Sequence, residues 1–141
     1  LKAAGLPPSR LCLEITEGAL IDDPERTCDL PNELRSHGMS LALDDFGTGY
    51  SSLGYLHRFP LLTLKIDRSF VAPLTAPSAN QGSASAAVVR AVVALAGSLG
   101  LSVVAEGIET QAQADALCAL GCHLGQGFLF AKPGPLPASS D

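Results

Sequence analysis

Hydrophobic and polar residues follow two different rhythms along this chain, and the switches between them predict the elements of its fold. Five short runs are β-like, and several are almost wholly apolar, as in strands covered on both faces of a parallel sheet. These runs are Leu11–Thr16, Ser40–Asp44, Leu62–Asp67, Leu101–Glu106 and Leu124–Phe130. We therefore expect five strands.

Helical periodicity falls between the predicted strands. The predicted helices are Asp23–Ser36, Ser51–Arg58, Ala84–Leu99 and Thr110–Leu120. A proline inside a helix costs about 3 kcal/mol, so we expect the first helix to break near Leu30 and to restart at Pro31. Gly38, Gly100 and Gly121 each follow a helical stretch, which is typical of a helix C-cap.

The order of these elements predicts the fold class. Strands and helices alternate from the first predicted strand to the last, which favours an α/β fold with parallel strands and right-handed crossovers. The stretch Ala72–Ser85 is rich in Ala, Ser and Pro and predicts a loop. We expect the Pro-rich tail Pro133–Asp141 to be frayed.

Length and charge limit the function classes. The chain has 141 residues, one domain at most, and 47% of them are hydrophobic, enough for a core. A net charge of −5 argues against binding to DNA, RNA or an anionic membrane and suits a site for metal cations. Arg90 and two glycines interrupt the apolar run 86–105, so we do not expect a membrane span there.

The four cysteines do not form the pattern of a disulfide framework. Reduced thiols and a cytoplasmic location are the expectation. Cys118, Cys122 and His123 could be half of a zinc site, but the sequence has no matching second half. Because the sequence starts at Leu1 without an initiator Met, we expect a piece cut from something longer or a sequence that begins late.

Polar or charged side chains occur near the carboxyl end of every predicted strand. They are Glu14, Asp44, Asp45, Lys65, Asp67, Glu106, Glu109 and Gln126. Charged groups inside apolar runs are costly to desolvate unless they are paired or bind a metal. The carboxyl edge of parallel strands is where (β/α) barrels and open α/β sheets build active sites. We therefore expect these side chains to meet.

Converging carboxylates repel one another unless cations separate them. Oxygen ligands favour Mg²⁺ or Mn²⁺, and adjacent aspartates such as Asp44 and Asp45 can bridge two metals about 4 Å apart, as in phosphodiester hydrolysis. Lys65 would then offer positive charge to a phosphate. A glycosidase is the competing carboxylate chemistry, but it needs neither the lysine nor the adjacent acids, and the chain is poor in aromatic residues.

A glycine-containing segment directly follows the paired aspartates. Phe46, Gly47, Thr48 and Gly49 form its first half. Two glycines permit a tight turn and bring backbone amides near a phosphate. Alone this is a weak signal, but after two aspartates it predicts a mobile loop over a metal site.

Five sequence segments resemble those of the EAL-domain family, the cyclic di-GMP phosphodiesterases of bacterial signalling. The segments begin at Glu14 (EITE), Asp44 (DDFGTGYSSL), Leu64 (LKIDRSFV), Val103 (VVAEGIET) and Gly121 (GCHLGQG). The resemblance extends over almost the whole chain. It implies a partial TIM-type (β/α) barrel, comprising about its last five β/α units. It also implies metal-dependent hydrolysis of cyclic di-GMP to linear pGpG.

The resemblance also implies roles for matching residues. Glu14, Asp44 and Asp45 would be metal ligands. Lys65 would contact the attacking water or the phosphate, and Glu106 would be a general base or linked to the metal. Gln126 and Glu109 would support the site, while Glu17 would anchor the glycine-containing loop of Phe46, Gly47, Thr48 and Gly49 rather than take part in chemistry.

The Glu-Ala-Leu motif that names the family does not occur in the sequence. We therefore expect residues 1–141 to be the C-terminal part of such a domain, lacking two metal ligands and inactive alone. Its expected partners are cyclic di-GMP, the missing N-terminal half of the barrel and a second copy of the chain, since a half-barrel has open edges. The alternative is a non-catalytic half-barrel that binds a nucleotide or a protein.

Overall fold

The computed structural model describes residues 5–21, 31–48, 56, 59–75 and 79–135. Over these residues the fold is one sheet of five parallel strands, arranged side by side in chain order. The strands are β1 (Cys12–Thr16), β2 (Ser40–Phe46), β3 (Thr63–Ile66), β4 (Ser102–Ala105) and β5 (Leu124–Gly125). The predicted α/β class with parallel strands is confirmed.

Helices connect the strands. They are α1 (Glu17–Ile21), α2 (residues 31–36), α3 (Arg68–Val71), α4 (Ala79–Leu99) and α5 (Gln111–Ala119). Short 3₁₀ helices occupy Pro8–Arg10 and Ala72–Thr75. The helix predicted at Thr110–Leu120 is confirmed to within a residue at each end. It begins after Thr110 because Thr110 caps α5 through a capping box with Gln113.

The predicted loop at Ala72–Ser85 is wrong. A 3₁₀ turn covers Ala72–Thr75, and α4 begins at Ala79, five residues before the predicted start at Ala84. Small side chains explain this, because they let the start of α4 pack closely on the preceding turn. A Cβ on Gly82 would lie only 3.3 Å from the carbonyl oxygen of Pro73.

The last strand is shorter than predicted. It spans Leu124–Gly125, whereas the prediction extended it to Phe130. Beyond Gln126 the chain turns across the backbone of Ile108, and a Cβ at Gly127 would approach the Ile108 carbonyl oxygen to 2.2 Å. This close crossing takes the chain away from the sheet.

Some predictions fall outside the described residues. These are the first half of the helix predicted at Asp23–Ser36, its break near Leu30, nearly all of the helix predicted at Ser51–Arg58, and residues 136–141 of the tail. Residues 31–36, where the sequence predicts the helix to restart, are helical. Gly38, Gly100 and Gly121 have positive φ, as the predicted C-caps require.

The hydrophobic core lies between the sheet and α4. Leu41, Leu43, Leu64 and Ile66 are almost fully buried on the central strands. Helix α4 contacts β3 and β4 and buries several of its own residues. By length and composition its segment Gln81–Leu99 could cross a bilayer. In this fold α4 packs against strands β3 and β4.

A matched pair of leucines tests this core. Leu64 is 0% exposed and Leu62, two residues earlier, is 55% exposed. Leu64→Ala should lower the free energy of unfolding by about 2–5 kcal/mol, because it leaves a cavity between packed layers. Leu62→Ala should change it by less than about 0.5 kcal/mol. Urea denaturation followed by circular dichroism measures both, and equal effects would contradict the packing described.

Candidate functional site

A buried lysine holds the ends of three strands together. Lys65, in β3, is 5% exposed. Its Nζ lies 2.7 Å from Glu14 Oε1, 3.1 Å from Asp44 Oδ1 and 2.5 Å from Glu106 Oε1. Glu14 belongs to β1, Asp44 to β2, and Glu106 directly follows β4. The structure therefore brings together at one edge four of the residues that the sequence singles out.

The three carboxylates compensate the cost of burying an ammonium group, which would be prohibitive without partners. Burial alone would lower the pKa of Lys65, but hydrogen bonds with the carboxylates, that of Glu106 first, outweigh it and raise the pKa above its ordinary value. Lys65 is consequently a permanent positive charge at the centre of an acidic cluster.

A backbone irregularity places two consecutive aspartates on the same side of β2. Neighbouring residues of a regular strand point to opposite faces. Here Asp45 has φ of +54°, and the pairing of β2 with β3 shifts register between Leu43 and Phe46. Aspartate tolerates this left-handed conformation better than most residues. As a result, carboxylate oxygens of Asp44, Asp45 and Glu106 lie within 4.8 Å of one another.

This proximity has an electrostatic consequence. Burial and then the charge of Asp44 raise the pKa of Asp45 above its ordinary value. The Asp45 backbone N–H donates to Asp44 Oδ1 at 3.1 Å, which also fixes the orientation of the neighbouring carboxylate.

Gln126 holds Glu106 from the other side. Its Nε2 donates to Glu106 Oε1 at 2.7 Å. The backbone of Gln126 is itself fixed, since its N–H donates to the carbonyl of Ala105 and its carbonyl accepts from Ile108. Glu106 therefore accepts from both Lys65 and Gln126, and its position is set by two strands.

The chemistry of the donor set fits divalent metal ions. Asp44, Asp45 and Glu106 offer only carboxylate oxygens, the ligands that Mg²⁺ and Mn²⁺ prefer. Within the described ranges this is the one group of His, Cys, Asp and Glu side chains close enough to share an ion. Cys118, Cys122 and His123 form no such group, and burial raises the pKa of the Cys122 thiol.

Glu17 lies apart from this network, as the first residue of α1, and its side chain contacts the glycine-containing loop. It is 5% exposed, and its Oε2 accepts the N–H of Gly47 at 3.2 Å. Phe46 is the buried last residue of β2, and Thr48 donates its hydroxyl to the carbonyl of Asp45. The loop-anchoring role of Glu17 stays a prediction, and Gly49 lies outside the described residues.

A cleft of about 470 Å³ opens beside the acidic cluster. Side chains that follow β3, β4 and β5 line it, among them Asp67, Arg68, Glu106, Glu109, Gln126, Phe128 and Lys132. Glu109 is exposed there and has no ion pair with a described residue. The sequence assigns no role to Arg68, Phe128 or Lys132; their positions just beyond strand ends are the signal that could have found them.

These features define an α/β fold with a parallel sheet and a carboxylate and lysine site at its carboxyl edge. The sequence matches the profile of the EAL domain over residues 1–133. The chain belongs to the EAL-domain family.

Relatives and solved structures agree with this assignment. The cyclic di-GMP phosphodiesterase NbdA of Pseudomonas aeruginosa is 46% identical over 138 residues, which are 98% of this chain and 17% of NbdA. The chain therefore spans about a sixth of that relative's length. Homologues in this family are cyclic di-GMP phosphodiesterases.

Two complexes show the same architecture. The MucR phosphodiesterase bound to c-di-GMP superposes with a TM-score of 0.87 at 45% identity, over 96% of this chain and 53% of that one. The Klebsiella pneumoniae BlrP1 complex with manganese and cy-diGMP gives 0.83 at 39% identity, over 94% and 33%. These neighbours are TIM-like barrels, and the five strands described here correspond to part of such a barrel.

Removing one of the clustered charges tests the metal site. Asp44→Asn should weaken Mn²⁺ binding about 10- to 100-fold, because a charged ligand becomes neutral. Asp115→Asn is the matched control, since Asp115 is exposed on α5 and, among the described residues, its side chain bonds only to Gln111. Isothermal titration calorimetry measures both. Equal Mn²⁺ affinity in the two variants would show that the ion binds elsewhere.

Proposed function

We propose that this chain contributes the carboxyl-edge half of a metal-dependent phosphodiesterase site that hydrolyses cyclic di-GMP to linear pGpG. One observation supports this above the others: Lys65 and the carboxylates of Glu14, Asp44 and Glu106 converge from four strands onto one point. The names of the family's characterised members supply the substrate.

The acidic residues would bind the cations. Asp44, Asp45 and Glu106 would hold Mg²⁺ or Mn²⁺, with Glu14 at the neighbouring strand end. When bound, the cations supply positive charge for the phosphodiester and its leaving group. The site then needs positioned protein groups that orient the substrate and the attacking water.

Lys65 and Gln126 would position the carboxylates for that task, since Lys65 pairs with three of them. Lys65 is buried and rigidly placed, so its charge is preorganised and needs no rearrangement as negative charge develops on the phosphate. Gln126 orients Glu106 by an amide hydrogen bond. Glu106, placed between them, is the group that would take a proton from water or bind the metal ion.

Two variants test the chemistry in the full-length protein. Glu106→Gln keeps the size of the side chain but removes the carboxylate, and Lys65→Met removes the central charge. Each should lower kcat for cyclic di-GMP by about 10²–10⁴-fold. Asp115→Asn should leave kcat unchanged. Liquid chromatography of pGpG measures turnover, and retention of full activity in Glu106→Gln would contradict the assignment.

We also propose that the 141 residues alone hydrolyse cyclic di-GMP negligibly. Their proposed ligands lie at the ends of three strands, β1, β2 and β4, whereas the family resemblance implies two more ligands on strands that these segments do not include. Adding a separate polypeptide that contains the Glu-Ala-Leu motif should restore turnover with Mn²⁺. Efficient turnover by the 141 residues alone would refute this proposal, and failure of the added piece would favour a non-catalytic binding module.

A further inference from the structure

Gln113, in the first turn of α5, is buried although its side chain is polar. It is 7% exposed, and a buried amide is costly unless it forms hydrogen bonds. Its Oε1 accepts two backbone N–H groups, that of Glu109 at 2.9 Å and that of Thr110 at 3.0 Å. A capping box needs only the second of these bonds. The bond to Glu109 therefore extends beyond the cap into the loop that connects β4 with α5.

That loop spans residues 106–110 and begins with Glu106 of the acidic cluster. Gly107 follows directly, and glycine has the greatest backbone freedom of any residue, so the loop needs restraint from outside. Ile108 donates its N–H to the carbonyl of Gln126 at 3.1 Å, and the Gln126 side chain donates to Glu106. The loop and the segment after β5 thus hold each other, and together they position Glu106.

Gln113 connects these two segments to the body of the fold. Helix α5 packs against the 3₁₀ helix Ala72–Thr75, and Leu117 of α5 is 2% exposed in the hydrophobic core. The two hydrogen bonds to Gln113 Oε1 therefore fix the loop to a packed helix. Without them the N–H groups of Glu109 and Thr110 would lose their acceptor, and the loop could shift together with the residues that it positions.

We propose that Gln113 is a positioning residue, which places Glu106 and Gln126 for catalysis by fixing the loop 106–110 to α5. This inference rests on the proposed function, because it presumes that Glu106 takes part in hydrolysis. Gln113 does not line the cleft beside the acidic cluster, so it acts through the loop and not by contact with a substrate. The alternative, that Gln113 only caps α5, predicts a loss of stability without a loss of catalysis.

The two halves of the capping box separate these roles in the full-length protein. Gln113→Leu removes the acceptor of both loop bonds, whereas Thr110→Ala removes only the hydroxyl that accepts the Gln113 N–H. Both variants should be less stable, because both weaken the start of α5. Gln113→Leu should lower kcat for cyclic di-GMP about 10- to 100-fold with little change in KM, and Thr110→Ala should leave kcat unchanged.

Two further variants complete the series. Gln113→Glu should restore kcat, because a carboxylate oxygen can accept the same two N–H groups. Should Gln113→Leu fail to fold, Gln113→Asn replaces it with the same expected loss, since its amide is one methylene shorter and is withdrawn from the loop.

Hydrogen–deuterium exchange followed by mass spectrometry supplies a readout that does not depend on turnover. In Gln113→Leu the segment 124–127, which comprises β5 and the turn after it, should exchange about tenfold faster, because the loop no longer supports it. In Thr110→Ala the same segment should exchange as in the wild type.

The outcomes separate this inference from the proposed function. Unchanged kcat in Gln113→Leu, an equal loss in Thr110→Ala, or no recovery in Gln113→Glu would overturn the positioning role and leave the proposed function intact. Absence of turnover in the wild type would overturn the proposed function. The exchange rates then decide the inference: faster exchange of residues 124–127 in Gln113→Leu alone supports it, and equal rates in the two variants overturn it.

Discussion

The buried ammonium of Lys65 is the constraint on which the rest of the site depends. A positive charge at 5% exposure is stable only with anionic partners close by, and here three carboxylates provide them from three other strands. The partners can meet only if the strands are parallel and in register, with their carboxyl ends at one edge. The sheet pairs Leu64 with Val103 and Leu43 with Leu64, so the apolar core and the ionic site enforce the same register.

The backbone is irregular at the residues that form or adjoin the proposed metal site. Asp45 is the one non-glycine residue in the described ranges with positive φ, and it interrupts the β2–β3 pairing. A strained conformation of this kind costs of order 1–3 kcal/mol. It brings two adjacent carboxylates to the same side, which a regular strand cannot do. Gly107, next to Glu106, similarly leaves room for Arg68 at the cleft.

The distribution of charge divides this edge of the sheet into two parts. Around Lys65 the acids outnumber the cation, which suits divalent metal ions. The cleft beside it is lined by charges of both signs, because Arg68 and Lys132 lie there with Asp67 and Glu109.

The alternation of apolar runs and helical periodicity was enough to predict the strands and their parallel arrangement, because buried strands leave a strong local signal in the sequence. Charged side chains inside apolar runs were enough to predict the edge of the sheet at which the site lies, because burying a charge is costly. The residues that meet there are Glu14, Asp44, Lys65, Glu106 and Gln126. The loop predicted at Ala72–Ser85 and the long last strand were wrong, since close packing of Gly82 and Gly127 on distant backbone decides those segments. The sequence also could not show that Arg68 and Lys132 face one cleft. Their positions depend on contacts with Gly107 and Phe128, and only the tertiary structure brings residues so far apart in the chain together.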